Sequence, residues 1–411
     1  MDYINRAAEK LAKEAVETYK SILVTGARQT GKSTMLEALF PDRKVVTFDD
    51  QFAEDQAKNN PTEFIDLNPP PVTYDEVQYV PSLFRYIKIA CDASKDTGLF
   101  CLTGSQPFKL MKTASESLAG RVSIIELSTL SLREMQKTDF DQSFVPTMEY
   151  VKARQKSAKK PKNIWSIIHR GGYPALQNPK MNCERFFSDY IKTYLERDVR
   201  ALSAVQDLNT FRRFMIACAA RTGQMLNYSN IASEISKDAD TVKNWISILE
   251  ASGIIYILEP YCPSVLNRAI KTPKLYFRDT GLACYLTRWL TPETLANGAM
   301  AGEIFETYVI SEILKSYSNA GIDYHYCVSY YRGKDKKDSS ESEIDFIIEK
   351  DGLLYPVEIK KTSKPTADMT SAFTILDNIP DKKRGTGAVV CMCSAPGVLR
   401  ENILAIPVWY V

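Results

Sequence analysis

The residues from Gly26 to Ser33 combine glycine, lysine and serine at a spacing suited to binding phosphate. Their sequence, GARQTGKS, fits the pattern G-x-x-x-x-G-K-[ST]. Glycine lets the main chain curl so that its N–H groups face phosphate oxygens, and the N-terminus of a following helix adds positive partial charge. We therefore predict a phosphate-binding loop made of Gly26, Ala27, Arg28, Gln29, Thr30, Gly31, Lys32, Ser33 and Thr34.

Within this loop, the chemistry predicts separate roles for the lysine and the serine. Lys32 would reach the β- and γ-phosphates of ATP, and Ser33 would supply an oxygen ligand to Mg²⁺. ATP and Mg²⁺ are therefore the expected cofactors. An apolar stretch, SILVTG (21–26), precedes the loop, and the helix-forming stretch KSTMLEALF follows it. The loop thus has the strand-to-helix setting that phosphate binding requires.

Acidic and hydroxyl side chains end two further predicted strands. Asp75 and Glu76 close PVTYDE (71–76), and Thr103 and Ser105 close LFCLTGS (99–105). Ligands of open α/β sheets bind at the carboxyl ends of the strands. We predict that Asp75 holds Mg²⁺ and that Glu76 is catalytic, orienting or deprotonating the attacking water. Thr103 either senses the γ-phosphate or belongs to an ordinary strand-ending turn.

Arg121 precedes a fifth predicted strand, RVSIIEL (121–127). A guanidinium at this place could neutralise charge on the nucleotide of a neighbouring subunit. That role would make the protein a homo-oligomer, whereas the simpler interpretation is a surface arginine.

The elements that must position these residues alternate between strands and helices. A strand is also predicted at KVVTFDD (44–50), and residues 1–20 have the spacing of an amphipathic helix. Such alternation is typical of βαβ units and a mostly parallel sheet, so the expected fold class is α/β. We divide the chain into residues 1–135, 136–205, 206–265 and 266–411.

Several stretches in combination resemble the bacterial and archaeal AAA+-type ATPases. They are GARQTGKST, DEVQ, LTGSQPFKLM and SESLAGR. YLERDVRAL, KLYFRDTGLA, GEIFE and EIDFIIE…YPVEIK are similar to the group that carries an additional C-terminal domain. The resemblance spans residues 15–375 and implies a P-loop NTPase core in 1–135, a helical lid or linker in 136–205, and ATP hydrolysis. The family's usual sensor asparagine is not evident, and Thr103 or Ser105 stands in its place.

Three helical patterns in residues 206–265 predict a winged helix. They cover 211–221, 228–235 and 240–251, with Ser229 and Asp240 as expected N-caps. In a DNA-binding protein the third helix would present Thr241, Lys243, Asn244 and Ser247 to a groove. Nearby acids oppose the few cations, and phosphate contacts dominate affinity. The module therefore either binds DNA weakly or only packs against other domains.

Asp351-Gly352 predicts a tight hairpin between EIDFIIE (343–349) and LLYPVEIK (353–360). This register places Asp345 opposite Glu358, Glu343 opposite Lys360, and Ile344 opposite Ile359 on the other face. Two carboxylates about 5 Å apart repel by about 3 kcal/mol at an effective dielectric constant of about 20. A divalent cation, a shared proton or Lys360 should offset that repulsion.

The D…E-x-K arrangement resembles the core of PD-(D/E)xK nucleases. The resemblance implies that Asp345 and Glu358 bind Mg²⁺, that Lys360 helps to activate water, and that Glu306 completes the site. The proline that usually precedes the aspartate is absent, because Ile344 stands there. Three interpretations stay open: a salt-bridged surface hairpin, a nuclease fold without activity, and an active nuclease.

Composition limits the remaining possibilities. Lys plus Arg is 52 and Asp plus Glu is 50, so bulk charge does not predict a nucleic-acid partner. Positive charge is densest at residues 152–162, which we expect to form an exposed linker or loop. If the protein binds DNA, the binding should depend on this segment as much as on the winged helix. Nine cysteines without a CxxC pair and a polar start favour a cytoplasmic protein without membrane segments.

Three functions follow from these observations. The first is a Mg²⁺-dependent ATPase coupled to a DNA-associated module. The second is a nucleotide-dependent binding switch or signalling scaffold with an inactive nuclease fold. The third is an ATP-gated DNA nuclease.

Overall fold

The computed structural model describes residues 3–105, 118–195, 207–262, 272–334 and 341–411. In these ranges, a parallel sheet, a small antiparallel sheet and a larger mixed sheet follow one another along the chain. Among the described helices, none has the length and apolar character needed to cross a bilayer.

The first sheet has five strands, all parallel to their neighbours, in the order β2-β3-β4-β1-β5. The strands are β1 (Ser21–Thr25), β2 (Lys44–Thr47), β3 (Val72–Asp75), β4 (Phe100–Gly104) and β5 (Val122–Glu126). The helices are α1 (Glu9–Thr18), α2 (Lys32–Leu39), α3 (Gln51–Asn59), α4 (Pro61–Leu67) and α5 (Leu83–Ala93). The predicted parallel α/β sheet is confirmed, and its order brings the carboxyl ends of β3, β4 and β1 side by side.

Alternating side chains of β1 supply two separate cores, one on each face of this sheet. Ile22 and Val24 pack with Met35 on one face, and Leu23 packs with Tyr74 and others on the opposite face. Successive strand residues point to opposite faces, so a strand buried on both sides is apolar throughout. This explains why SILVT shows no polar alternation.

The middle of the chain is mainly helical. Its helices are α6 (Leu132–Met135), α7 (Met148–Gln155), α8 (Ile164–Arg170), α9 (Cys183–Tyr190), α10 (Leu208–Ala219), α11 (Tyr228–Ile235) and α12 (Ala239–Ala251). A π-helical turn, Ile191–Leu195, extends α9. The rest of the predicted helix at YLERDVRAL lies outside the described residues.

The expected linker at residues 152–162 is wrong in its first part. Residues 152–155 belong to α7, and Arg154 is fully buried. The Arg154 guanidinium lies 5.3 Å from the centre of the Phe140 ring and donates to the Trp409 carbonyl at 3.3 Å. Burial, together with the charge of Arg133, lowers the pKa of Arg154 to about 10. Charge density alone did not reveal this, because a long arginine can lie along an apolar surface.

Helices α10 to α12 pack beside a three-stranded sheet of order β6-β8-β7. Its strands are β6 (Gln224–Met225), β7 (Ile255–Leu258) and β8 (Lys274–Phe277). The central strand β8 lies beyond the expected boundary at 265/266, so that boundary cuts through the sheet and is moved past Phe277. Asn227 and Asp238 cap α11 and α12, two residues before the expected Ser229 and Asp240.

The C-terminal part begins with α13 (Thr280–Leu286), α14 (Pro292–Asn297) and α15 (Ala301–Ser318). The sheet that follows has the order β14-β15-β13-β11-β10-β9, with β12 also paired to β11. Its strands are β9 (Val328–Lys334), β10 (Glu341–Lys350), β11 (Leu353–Lys360), β12 (Lys383–Arg384), β13 (Gly387–Cys391), β14 (Gly397–Arg400) and β15 (Ile403–Pro407). A 3₁₀-helical stretch, Ala367–Asn378, packs on β10, β11 and β13.

The β10–β11 hairpin has the predicted turn and register. Asp351 and Gly352 both adopt positive φ, at 52° and 76°, as a type I′ turn requires. Phe346 pairs with Val357, which is the expected register. Nearer the open end β10 is irregular against β9, and Ile344 packs with Ile347 instead of Ile359. The predicted facing of Ile344 and Ile359 is therefore wrong, because the irregularity turns Ile344 to the other side of the sheet.

Helix α15 is buried on all sides from residue 307 to residue 318. It reaches the first domain through Glu312, which accepts from the Leu132 N–H at 2.7 Å. Lys315 donates to the Leu130 carbonyl at 3.0 Å and pairs with Glu312 at 2.9 Å. A helix buried all round belongs to the interior. Accordingly, one apolar cluster extends from the helical middle of the chain through α15 to the last strands.

Candidate functional site

The predicted phosphate loop connects β1 to α2 and depends on two glycines. Gly26 and Gly31 have φ values of 139° and 90°, which L-residues rarely adopt. A Cβ at Gly26 would lie 2.2 Å from the Leu127 carbonyl oxygen. Helix α2 starts directly after Gly31, at Lys32. The main chain therefore curls and then presents a helix N-terminus, as the motif predicts.

The side chain of Lys32 is held by main-chain carbonyls at the start of the loop. The Lys32 ammonium donates to the carbonyls of Gly26 at 3.2 Å and Ala27 at 3.0 Å, and its side chain is buried. Thr30 is buried and donates to the Ala27 carbonyl at 3.0 Å. The remaining loop residues differ in exposure: Arg28 is buried, and Gln29 and Thr34 are exposed.

Arg6 supports the loop from behind and was not predicted. Its guanidinium donates to the carbonyls of Thr30 and Ser128, each at 2.7 Å, and pairs with the buried Glu134 at 3.0 Å. No local motif marks such a residue, because its partners lie 24 to 128 positions away.

Asp75 is the point at which the predicted site residues meet. Its carboxylate accepts hydrogen bonds from the hydroxyls of Ser33, of Thr47 at 3.2 Å, and of Thr103 at 2.5 Å. The three donors follow β1 or end β2 and β4, so the parallel sheet brings them to one edge. Thr103 thus contacts the expected metal ligand directly, and Thr47 is an addition that the sequence did not single out.

Glu76 leaves β3 in a left-handed conformation, with φ of 58°. Its N–H donates to the Thr103 hydroxyl at 3.1 Å. Its carboxylate accepts from the Gln78 amide and from the Ser105 hydroxyl, the latter at 2.9 Å. The structure therefore brings Glu76 to the same edge as Asp75, and it adds Gln78 to the site.

Arg121 lies at the opposite edge of the sheet. It precedes β5, and its carbonyl accepts from the N–H of Ser21, the first residue of β1. Its guanidinium pairs with Asp92 at 2.5 Å on the surface. Within one chain, Arg121 is therefore separated from the phosphate loop by the length of the strands.

The module of α10–α12 contacts the phosphate loop through main chain. Gly253, two residues after α12, has φ of 68°, and a Cβ there would lie 3.3 Å from the Ala27 nitrogen. Beside this contact, Arg278 forms an ion pair with Glu126 at the end of β5, and the Tyr324 hydroxyl donates to Glu126 at 2.8 Å. Burial alone would raise the pKa of Glu126, but Arg278 and Tyr324 hold it below its ordinary value.

A second cluster forms around the hairpin acids. The Lys360 ammonium lies 2.6 Å from the Glu358 carboxylate and 3.3 Å from that of Asp345. Asp345 also accepts from the Ile359 N–H at 2.8 Å. Both acids are buried, and they converge on one ammonium. Lys360, one of the three expected means of offsetting the repulsion, therefore contacts both acids.

The cluster extends to Glu306 of α15 and recruits residues that the sequence did not indicate. Tyr276 donates to Glu306 at 2.5 Å, and the buried Lys274 lies 3.4 Å from Glu306 and 2.5 Å from Glu343. Glu343 therefore pairs with Lys274 and not with Lys360. The sequence did not indicate this partner, because β8 lies more than 60 positions away in the chain.

Burial makes these acids hold protons more tightly. Desolvation and the charge of Asp345 raise the pKa of Glu306 to about 7 and that of Glu358 to about 8. Across the described residues, no three His, Cys, Asp or Glu side chains form a group suited to a metal ion. Within the described residues, Glu306, Asp345 and Glu358 are therefore not grouped as a three-acid metal site, and each lies beside Lys274 or Lys360.

Comparison with protein families divides the chain into three parts. Residues 18–136 match a model described as an AAA domain. Residues 161–293 and 301–411 match two models described as domains of unknown function, DUF8612 and DUF4143. Together with the parallel sheet and the phosphate loop, the first match shows that residues 18–136 are a nucleotide-binding domain of the P-loop ATPase type. The other two descriptions assign no activity.

Similar proteins span most of the chain. The uncharacterized proteins Rv2008c of Mycobacterium tuberculosis and Mb2031c of Mycobacterium bovis are each 26% identical over 383 residues, covering 90% of this chain and 77% of theirs. Among solved structures, the Walker-type ATPase PABY2304 of Pyrococcus abyssi has a TM-score of 0.44 and 17% identity, covering 69% of this chain and 96% of its own. AMPPCP-bound DnaA from Aquifex aeolicus has a TM-score of 0.30 and 18% identity, covering 61% and 89%.

The raised pKa of Glu306 predicts a pH-dependent stability. Between the ordinary carboxyl pKa of 4.5 and about 7, folded Glu306 keeps a proton that the unfolded chain loses. Its stabilising contribution is complete below pH 4.5 and is lost as pH rises through 7, at about 1.4 kcal/mol per unit of raised pKa. In Glu306→Gln, the free energy of unfolding from denaturant titrations should therefore fall less between pH 5 and 8. Glu303→Gln, one turn earlier in α15, is the control, and equal pH slopes in both variants would contradict this assignment.

Proposed function

We propose that this protein binds ATP with Mg²⁺ at the loop of residues 26–34 and hydrolyses it, and that a DNA-associated part C-terminal to the ATPase domain responds to the nucleotide. The observation that carries the proposal is the meeting of Ser33 with Asp75 beside the buried Lys32. These are the groups that P-loop enzymes use for phosphate and metal.

Each residue then has a role that its contacts support. Lys32 and the loop N–H groups bind the β- and γ-phosphates. Ser33 and Asp75 offer hydroxyl and carboxylate oxygens, the donor types that Mg²⁺ prefers, so they are the groups that would hold it. Mg²⁺ would neutralise charge on the phosphates. Glu76 takes the proton of the attacking water, and Thr103 fixes the position of both acids.

Substitution of the lysine and of the catalytic acid should separate binding from hydrolysis. Lys32→Ala should lose ATP affinity, because the buried ammonium is removed. Glu76→Gln should keep affinity but hydrolyse about 10²–10⁴-fold more slowly, since general base catalysis typically contributes that much. Calorimetric titration with ATP and steady-state phosphate release measure the two effects. Undiminished turnover in Glu76→Gln would exclude Glu76 as the base.

We further propose that Arg121 acts on the nucleotide site of a neighbouring copy, in a homo-oligomer. Its support is its place at the far edge of the sheet, where it cannot serve its own site. The exposed pair with Asp92 is no obstacle, because such pairs contribute about 0–1 kcal/mol.

Mixing two inactive variants tests the trans role. Arg121→Ala keeps its own acids, and Glu76→Gln keeps its arginine, so mixed oligomers should contain some complete sites and regain activity. Asp92→Ala is the control for loss of the surface ion pair. If the mixture stays as inactive as its components, Arg121 does not act between subunits.

The DNA-associated part is proposed to be the module of α10–α12 with its three-stranded sheet. Its element order is that of a winged helix, and α12 exposes Lys243, Asn244 and Ser247, while Thr241 is bound to its cap. Lys243 lies 3.4 Å from Asp240, so weak and salt-sensitive binding is expected. ATP turnover measured with and without duplex DNA distinguishes a coupled ATPase, which DNA stimulates, from a nucleotide switch, which DNA leaves unchanged.

A second candidate function is DNA cleavage by the C-terminal domain. The observation in its favour is the convergence of Asp345, Glu358 and Lys360, with Glu306 nearby. Metal binding by Asp345 and Glu358 would require Lys360 to move from between them.

Plasmid nicking in Mg²⁺ or Mn²⁺ tests this second function. The background should be Lys32→Ala, which limits metal uptake at the nucleotide loop. Nicking that Asp345→Asn abolishes and Asp351→Asn, in the exposed turn, preserves would support a nuclease. Absence of nicking in the parent protein would mean that the domain has a nuclease-like arrangement of residues without nuclease activity.

A further inference from the structure

We propose that Gln78 and Ser105 are positioning residues that hold one oxygen of Glu76 and thereby aim the other at the attacking water. The proposal rests on the proposed ATPase function. It assigns roles to two side chains that are outside the phosphate loop and do not contact Asp75.

Both donors bind the same oxygen of the carboxylate. The Gln78 amide and the Ser105 hydroxyl donate to Glu76 Oε2, and the amide also lies 3.3 Å from the Ser105 oxygen. Gln78 is 6% exposed and Ser105 is 2% exposed, so both are fixed in the interior. In the described part of the chain, no donor reaches Glu76 Oε1. Among the described residues, the carboxylate is therefore held through Oε2, and its Oε1 accepts no hydrogen bond.

The backbone explains how this arrangement arises. Successive residues of a strand point to opposite faces, so Asp75 and Glu76 would lie on opposite faces of the sheet if β3 continued. The left-handed conformation of Glu76 ends the strand and turns its side chain to the same side. Thr103 of β4 donates to Asp75, and Ser105, directly after the last residue of β4, donates to Glu76.

Gln78 is poorly explained as a packing residue. Its Oε1 is buried and has no hydrogen-bond partner among the described atoms. A buried unpaired carbonyl is unfavourable, and an apolar side chain of similar size would avoid that cost. The amide nitrogen is the part of the side chain that makes a useful contact, because it donates a hydrogen bond to Glu76.

The chemical step requires an aimed oxygen. The water oxygen forms a bond to the γ-phosphorus, the bond from that phosphorus to the β–γ bridging oxygen breaks, and ADP leaves with the bond electrons. The water proton passes to Glu76 Oε1 and later to solvent. A base must lie within about 2.6–3.2 Å of the proton's oxygen, so a carboxylate free to rotate would meet this condition less often.

We call Gln78 and Ser105 together the clamp. Three variants test it: Gln78→Leu, Ser105→Ala and Ser105→Thr, which keeps the hydroxyl. Each of the first two should lower kcat about 10-fold with little change in KM, and Ser105→Thr should restore most of the loss. Neither should lower kcat further in a Glu76→Gln background, because the group they position is then absent. A purely structural role would change stability and would persist in that background.

Matched controls come from the same chain. Ser21→Ala removes a buried hydroxyl at the opposite end of the same sheet, and Gln136→Leu removes an amide whose Oε1 is likewise unpaired. Both should keep the kcat of the parent. Thermal melting should show Gln78→Leu as stable as the parent or more so.

The outcomes separate this inference from the proposed function. If Glu76→Gln slows hydrolysis and both clamp variants keep the parent kcat, the clamp is refuted and the ATPase assignment stands. If both clamp variants lose the same activity with and without Glu76, the clamp is also refuted. If the parent releases no more phosphate than Lys32→Ala, the ATPase proposal fails first and the clamp falls with it.

Discussion

The carboxylate of Asp75 ties four strand ends together. It accepts from hydroxyls that follow β1 or end β2 and β4, and it ends β3 itself. A carboxylate withdrawn from water is costly unless several donors surround it. Because the strands are parallel, their carboxyl ends meet at one edge, and the donors arrive without any special loop. Loss of the Asp75 carboxylate would remove the hydrogen bond that joins Ser33 of the phosphate loop to β3.

The rest of the molecule is organised around α15. Its apolar residues join the core of the middle region to the C-terminal sheet, while Glu312 and Lys315 satisfy main-chain groups near the end of the first domain. Buried charges of this kind need complete pairing, so they specify one relative placement of the parts. The ATPase domain, the helical module and the last sheet are consequently held as one packed body in the described residues.

Features encoded by neighbouring residues could be predicted from the sequence. The phosphate loop depends on two glycines and the helix after them, and the hairpin register depends on Asp351 and Gly352. Both are local, so the predictions hold. Lys274 and Arg6 could not be predicted, because each reaches its acid across long stretches of chain. The burial of Arg154 was missed for a related reason: composition shows charge but not the aromatic surface on which that charge lies.

Position along β10 illustrates a subtler limit. The turn sets the register only as far as the ladder remains regular, and it becomes irregular at Ile344. The acids nevertheless converge, because Lys360 and the Ile359 N–H attract Asp345 from the neighbouring strand. These two contacts join Asp345 to β11 next to the place where the β9–β10 ladder is irregular.

The contact of Gly253 with Ala27 places the C-terminal end of α12 against the phosphate loop. The C-terminal end of the helix lies beside the phosphate loop, and Asn244 lies about 10 Å along the axis from that end. A tilt of about 5° at the contact would displace Asn244 by about 1 Å, since a helix moves as a stiff rod. Glycine allows this close approach, so a larger residue at position 253 would push the end of α12 away from Ala27 and tilt the helix. The placement of the exposed face of α12 therefore depends on the absence of a side chain at position 253.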